Sequence, residues 1–146
     1  MCIRDSIVPL LAERSVVKLD AKQRERKREH WQAIAISACE QCGRNRVPDV
    51  REPAALGDCI DMLAADGLRC LLAADGESSL AAASASTSKR SFVLLIGPEG
   101  GLGENEREFA RAHGFAGYSL GPRVLRTETA GLAALAVLQS VAGDLR

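Results

Sequence analysis

Residues 92–103 read Phe-Val-Leu-Leu-Ile-Gly-Pro-Glu-Gly-Gly-Leu-Gly, and residues 120–130 read Leu-Gly-Pro-Arg-Val-Leu-Arg-Thr-Glu-Thr-Ala. Each stretch begins where an apolar run stops, passes through glycine and proline, and feeds a helical pattern. Residues 91–96, an apolar run bounded by glycine, predict a buried strand. Two strand–loop–helix units in succession predict an α/β fold with a parallel sheet. In such folds ligands sit at the carboxyl ends of strands, where glycine lets a ligand approach backbone amides. Residues 96–103 and 120–130 are therefore expected to line one pocket.

Working outward, residues 104–112 predict a helix ended by His113-Gly114, and residues 115–120 the next strand. Thr127 is expected to cap a final helix running to about Val141. Upstream, Asp20 is a good N-cap for a long helix over 21–42, closed by Gly43. Trp31, Ile34, Ala35, Ala38, Cys39 and Cys42 fall at helical spacing and are expected to form its buried stripe. Residues 7–11 read as the end of a strand and residues 13–18 as a loop on the ligand side. Pro53 suits the first turn of a second helix, ending near Asp66-Gly67. Residues 68–73 predict a buried strand, Asp75-Gly76 a turn, and the serine–alanine run 78–88 a linker that can carry a frayed helix.

A chain of 146 residues fits one domain, and 47% hydrophobic residues with only 3% aromatics predict an aliphatic core. No apolar run approaches membrane-spanning length, and no secretory signal is visible. The 19 basic and 19 acidic residues cancel, yet Lys22, Arg24, Arg26, Lys27 and Arg28 cluster within one stretch. Such a stripe can bind phosphates on a neutral protein. Five cysteines at irregular spacing argue against a disulfide framework and for a reduced, cytoplasmic protein. Cys39-Glu-Gln-Cys42 has no partner pair for zinc, and His30 and His113 form no metal pair, so no metal is expected.

The two quoted stretches, in order and at this spacing, resemble the 16S ribosomal RNA uridine-N3 methyltransferases, the RsmE type of the SPOUT superfamily. The resemblance runs from about Ile7 to Leu145. It implies a knotted α/β methyltransferase domain over residues 7–146 with a mostly parallel sheet flanked by helices. It also implies the cofactor S-adenosyl-L-methionine, 16S rRNA of the small ribosomal subunit as partner, and a homodimer packed through the last helix. Residues 1–6 match nothing in the family and are set aside as a non-native leader. The family's N-terminal PUA-like domain and first strand and helix have no counterpart in the sequence given.

By the same resemblance the cofactor falls to Gly97, Gly100, Gly101, Leu120, Gly121, Val124, Leu125 and Ala130. The glycine loop lacks the Lys-Ser/Thr of a phosphate-binding loop, and Glu99 suits a cationic sulfonium better than a polyphosphate. Uridine N3 is a poor nucleophile until deprotonated, and a nearby cation favours the anion. Arg126 is the candidate for that role, with Glu128 or Glu99 orienting it or relaying the proton. Arg14, Arg24, Arg28, Arg44 and Arg123 are candidates for RNA contact, each otherwise an ordinary surface arginine. Two competing readings are a ribose 2′-O-methyltransferase of the same superfamily and a non-catalytic RNA-binding module. The first usually carries an asparagine–serine motif where this chain has Arg126-Thr127-Glu128-Thr129. The complete cofactor motifs count against the second.

Overall fold

The computed structural model describes residues 6–15, 19–63, 66–89 and 91–145. Residues 1–5, within the expected leader, and 16–18, within the expected early loop, lie outside the described residues. Ser6 belongs to the first strand, β1 (Ser6–Ile7), which pairs in parallel with β2 (Asp49–Val50). The principal sheet has four parallel strands: β3 (Leu68–Leu72), β4 (Ser78–Ser79), β5 (Phe92–Ile96) and β6 (Ala116–Ser119). Their spatial order is β4-β6-β3-β5. Leu72 at the end of β3 sits opposite Ile96 of β5 and Tyr118 of β6. Three strands thus end side by side, and the loops after them leave one edge of the sheet.

Alternation along β3 shows why this sheet is covered on both faces. Leu71 joins Leu56, Ile60, Leu95, Leu102, Ala110 and Phe115 in one core cluster. Its neighbour Cys70 joins Leu80, Tyr118, Ala134 and Leu138 in another. Helices α2 (Leu56–Asp61) and α4 (Glu104–Ala112) supply the first, while α3 (Leu80–Ser86) and α5 (Thr127–Ala142) supply the second. Burial raises the Cys70 thiol to about 12, so it behaves as an apolar group.

The first helix, α1 (Ala21–Cys42), has the predicted ends. Asp20 Oδ1 accepts from Gln23 N at 2.8 Å, and Gln23 Oε1 accepts from Asp20 N at 3.1 Å. Gly43 closes the helix with φ of 70°. The predicted buried stripe is different: only Cys39 is buried, and Ile34 is 53% exposed. The helix is held by polar contacts instead. Gln32 Nε2 donates to Pro48 O at 3.1 Å, and Gln32 Oε1 accepts from Val50 N at 2.8 Å, tying α1 to β2.

Three other expectations change. Within the run read as a linker with a frayed helix, residues 78–86 form β4 and a capped helix α3, with Ser79 capping Ala82 N and Leu80 completely buried. Alanine-rich composition favours helix once one large apolar residue anchors it. The second helix starts at Leu56, three residues after Pro53, and ends at Asp61. Arg126, not Thr127, stands at the N-cap of α5, and Thr127 is its first helical residue.

Candidate active site

The loops after β3, β5 and β6 enclose a cavity of about 540 Å³ at the carboxyl edge of the sheet. Gly97 turns the chain out of β5. A Cβ on it would stand 3.0 Å from Leu102 N and 3.2 Å from Leu102 Cγ, so the loop doubles back too tightly for a side chain. Gly101 adopts φ of 69° and donates from its N–H to Pro98 O at 2.8 Å. The loop from β6 is fastened across the cavity: Thr127 Oγ1 donates to Gly97 O at 3.0 Å. The hydroxyl that the sequence marked as a cap therefore joins the two loops.

Of the residues singled out from sequence, Gly97, Glu99, Gly101, Leu120, Arg123, Val124, Leu125, Arg126 and Ala130 line this cavity. Gly100, Gly121 and Glu128 are not among its lining residues. Gly100 instead faces Arg14: a Cβ there would lie 3.6 Å from Arg14 Cβ, and Arg14 Nη1 donates to Gly100 O at 3.0 Å. Arg14 thus braces the outer side of the glycine loop. Arg24 and Arg28 lie on α1, where Arg24 Nε donates to Leu19 O at 3.2 Å. Arg44 is half-buried just beyond the end of α1. None of these four arginines lines the cavity.

Among the described residues no ion pair joins Arg123 or Arg126 to Glu99 or Glu128. Arg126 is anchored through its backbone, its carbonyl accepting from Thr129 N at 3.0 Å and Ala130 N at 2.8 Å. The residue is exposed and lines the cavity.

Three polar cavity residues, Asp75, Arg107 and Tyr118, escaped the sequence reading of the site. Arg107 Nη2 donates to Asp75 Oδ1 at 3.2 Å and Oδ2 at 3.0 Å. This hydrogen bond, with Asp75's own backbone contact and the Arg107 charge, holds the Asp75 carboxyl below its ordinary range. Tyr118 also lines the cavity, and burial pushes its phenol up. Asp75-Gly76 reads only as a turn, and no short motif marks Arg107. Only the folded register brings the β3 loop against α4.

Behind the glycine loop, Glu106 sets the entry of α4. Its Oε2 accepts from Gly103 N at 2.8 Å, and its Oε1 from Glu13 N at 3.0 Å. One buried carboxylate thereby caps a helix and fixes the loop that carries Arg14. Among the described residues, no group of three or more His, Cys, Asp or Glu is placed to hold a metal. No described helix is long and apolar enough to cross a membrane.

The chain is 41% identical over 140 residues to the ribosomal RNA small subunit methyltransferase E of Bacillus subtilis, which covers 91% of this chain and 54% of that protein. Two solved structures are similar over nearly all of its length. One is the ribosomal RNA small subunit methyltransferase E of Neisseria gonorrhoeae bound to S-adenosyl methionine. It is 35% identical with a TM-score of 0.85, covering 97% of this chain and 56% of that one. The other is a Legionella pneumophila protein solved with the cofactor SAM bound. It is 42% identical with a TM-score of 0.84, covering 96% and 57%. The chain thus spans a little over half the length of these relatives. Residues 4–139 match the family model of the RNA methyltransferase domain. A parallel sheet whose strand-end loops close over one cavity agrees with that match, and the chain belongs to the RNA methyltransferase domain family.

Proposed function

We propose that this domain methylates N3 of a uridine in 16S ribosomal RNA, with S-adenosyl-L-methionine as methyl donor. The observation that carries the reading is the cavity between the two loops joined by the Thr127–Gly97 hydrogen bond. Its residues suit the cofactor. Gly97 and Gly101 keep side chains away from the loop backbone, Leu120 and Leu125 offer apolar surface, and Glu99 and Asp75 bring carboxylates to a site for a cation. When bound, the cofactor supplies an electrophilic methyl group on a positively charged sulfur.

The chain's own part is to make uridine nucleophilic. Arg126 and the N-terminus of α5 both favour negative charge near residues 126–130. Arg126 is assigned to stabilise the uridine anion, and Arg123 to hold its phosphate. Glu99 lines the cavity and Glu128 does not, which favours Glu99 as the carboxylate that accepts or relays the N3 proton. Orientation and preorganised charge account for most of the acceleration.

Three further features belong to this reading. The chain after β6 threads between the preceding strand-end loops to form a knot, in keeping with β6 lying inside the sheet and α5 sharing a core with α3. Two copies associate through the outer face of α5, where Leu132 is 68% exposed. The enzyme works in the cytoplasm, on the small ribosomal subunit.

The test is methyl transfer to small subunits that lack the mark, followed by digestion to nucleosides. The expected product is 3-methyluridine. A 2′-O-methylated nucleoside would replace base methylation by ribose methylation, and no transfer at saturating cofactor would contradict the assignment.

A further inference from the structure

A second cavity, of about 270 Å³, shares Pro98 and Glu99 with the first. Pro9, Leu10, Leu11 and Pro53 make it apolar, and Trp31 of α1 lines it. Trp31 belongs to neither core cluster and is half-buried. The Nζ of Lys27, one helical turn earlier, stands 5.5 Å from the centre of the indole ring and also lines the cavity. Of the basic run Lys22, Arg24, Arg26, Lys27 and Arg28 on the same helix, Lys27 lines this cavity, and Arg24 Nε donates to the carbonyl of Leu19, another lining residue.

We propose that this second cavity receives an unstacked base of single-stranded RNA, seated on the Trp31 ring. An apolar recess with one aromatic platform and a cationic entrance matches what an extruded base requires. Its flat face seeks an aromatic plane, while its phosphates seek lysine and arginine. Lys27, now over the indole, is the group that the base displaces toward a phosphate. A purely apolar partner would gain nothing from the basic run, whereas a polyanion gains from both features. Position supports the same occupant. Pro98 and Glu99 line both cavities, so a base held here lies beside the cofactor cavity. The inference rests on the methyltransferase reading for its biological sense, but the cavity's preference for a base can be measured by itself.

Trp31 is the only tryptophan in the sequence, so its fluorescence reports this cavity alone. The full chain is titrated with a short uridine oligomer and with an abasic ribose–phosphate oligomer of equal length and charge, at one salt concentration. The uridine oligomer should quench Trp31 and bind about ten-fold more tightly than the abasic one. Trp31→Ala, followed by filter binding, should remove that ten-fold preference and leave abasic binding unchanged, while Trp31→Phe keeps most of it. Equal affinity for the two oligomers, RNA binding without quenching, or no RNA binding would each overturn the proposal. Calorimetry with S-adenosylhomocysteine separates the two readings. Binding should be unchanged in Trp31→Ala, and its loss there would make Trp31 a scaffold residue and overturn the proposal. If the unsubstituted chain binds no S-adenosylhomocysteine, the methyltransferase reading fails, whatever the fluorescence shows.

Discussion

Arg126 divides its work between backbone and side chain. The carbonyl opens α5 by accepting two amides, and the residue lines the cavity, where its side chain is assigned to the uridine anion. Replacing the side chain should therefore spare the helix and expose the chemistry. Arg126→Ala is expected to slow single-turnover methyl transfer by about a hundred-fold or more, the usual cost of one lost charge-assisted contact at a developing anion. Cofactor affinity should change far less. Arg126→Lys should restore only part of the rate, because an ammonium lacks the planar fork of a guanidinium. Near-normal transfer by the alanine variant would move the role to Arg123. Asp75 offers a second test at this scale. Its carboxyl is held low chiefly by the Arg107 hydrogen bond. Contact with Arg107 thus contributes stability above the unfolded carboxyl's range, and that contribution disappears as pH falls through the folded value. Carbon-detected NMR titration should show Asp75 titrating below the ordinary aspartate range and rising in Arg107→Ala. An Asp75 midpoint that ignores Arg107 would contradict the pairing.

At the scale of the element, α4 and α1 are set by different forces. The entry of α4 rests on Glu106, whose carboxylate accepts from both Gly103 N and Glu13 N. Glu106→Ala leaves two inward-facing amides without an acceptor, so unfolding in urea should lose about 1–3 kcal/mol. Glu106→Gln should recover part, since an amide oxygen can accept only where its own NH2 does not oppose a donor. A midpoint unmoved by alanine would mean that water replaces the carboxylate. In α1 the caps were legible because Asp20, Gln23 and Gly43 act locally. Its buried face was not, because helical spacing says which residues share a side and not whether anything covers that side. Trp31 consequently looked like core and lines a cavity. Composition misled in the other direction at 78–88, where one anchored leucine turns a linker-like run into β4 and α3. For the charged start of α1, changing Arg24, Arg26 and Arg28 to glutamine should flatten the salt dependence of RNA affinity. An unchanged slope would leave these side chains as a solvated face.

Across the whole molecule, the parallel sheet and the two-loop cavity were readable from residues 92–103 and 120–130. The reason is physical: an apolar strand, a glycine turn and a helix start are each local signals, and the parallel α/β fold puts strand ends on one edge. Contacts that bridge distant segments were not readable. Arg14 on Gly100, Arg107 on Asp75 and Thr127 on Gly97 join residues 86, 32 and 30 positions apart. Those bridges make one site of three loops, and they explain why Gly100 faces a brace while Gly97 and Gly101 face the cavity. The central claim is that this cavity is the cofactor's seat. A crystal structure of the chain with S-adenosylhomocysteine tests it most directly. Ligand density is predicted between residues 97–102 and 120–127, against Leu120 and Leu125. Density at another place on the molecule, or none at saturating ligand, would contradict the account.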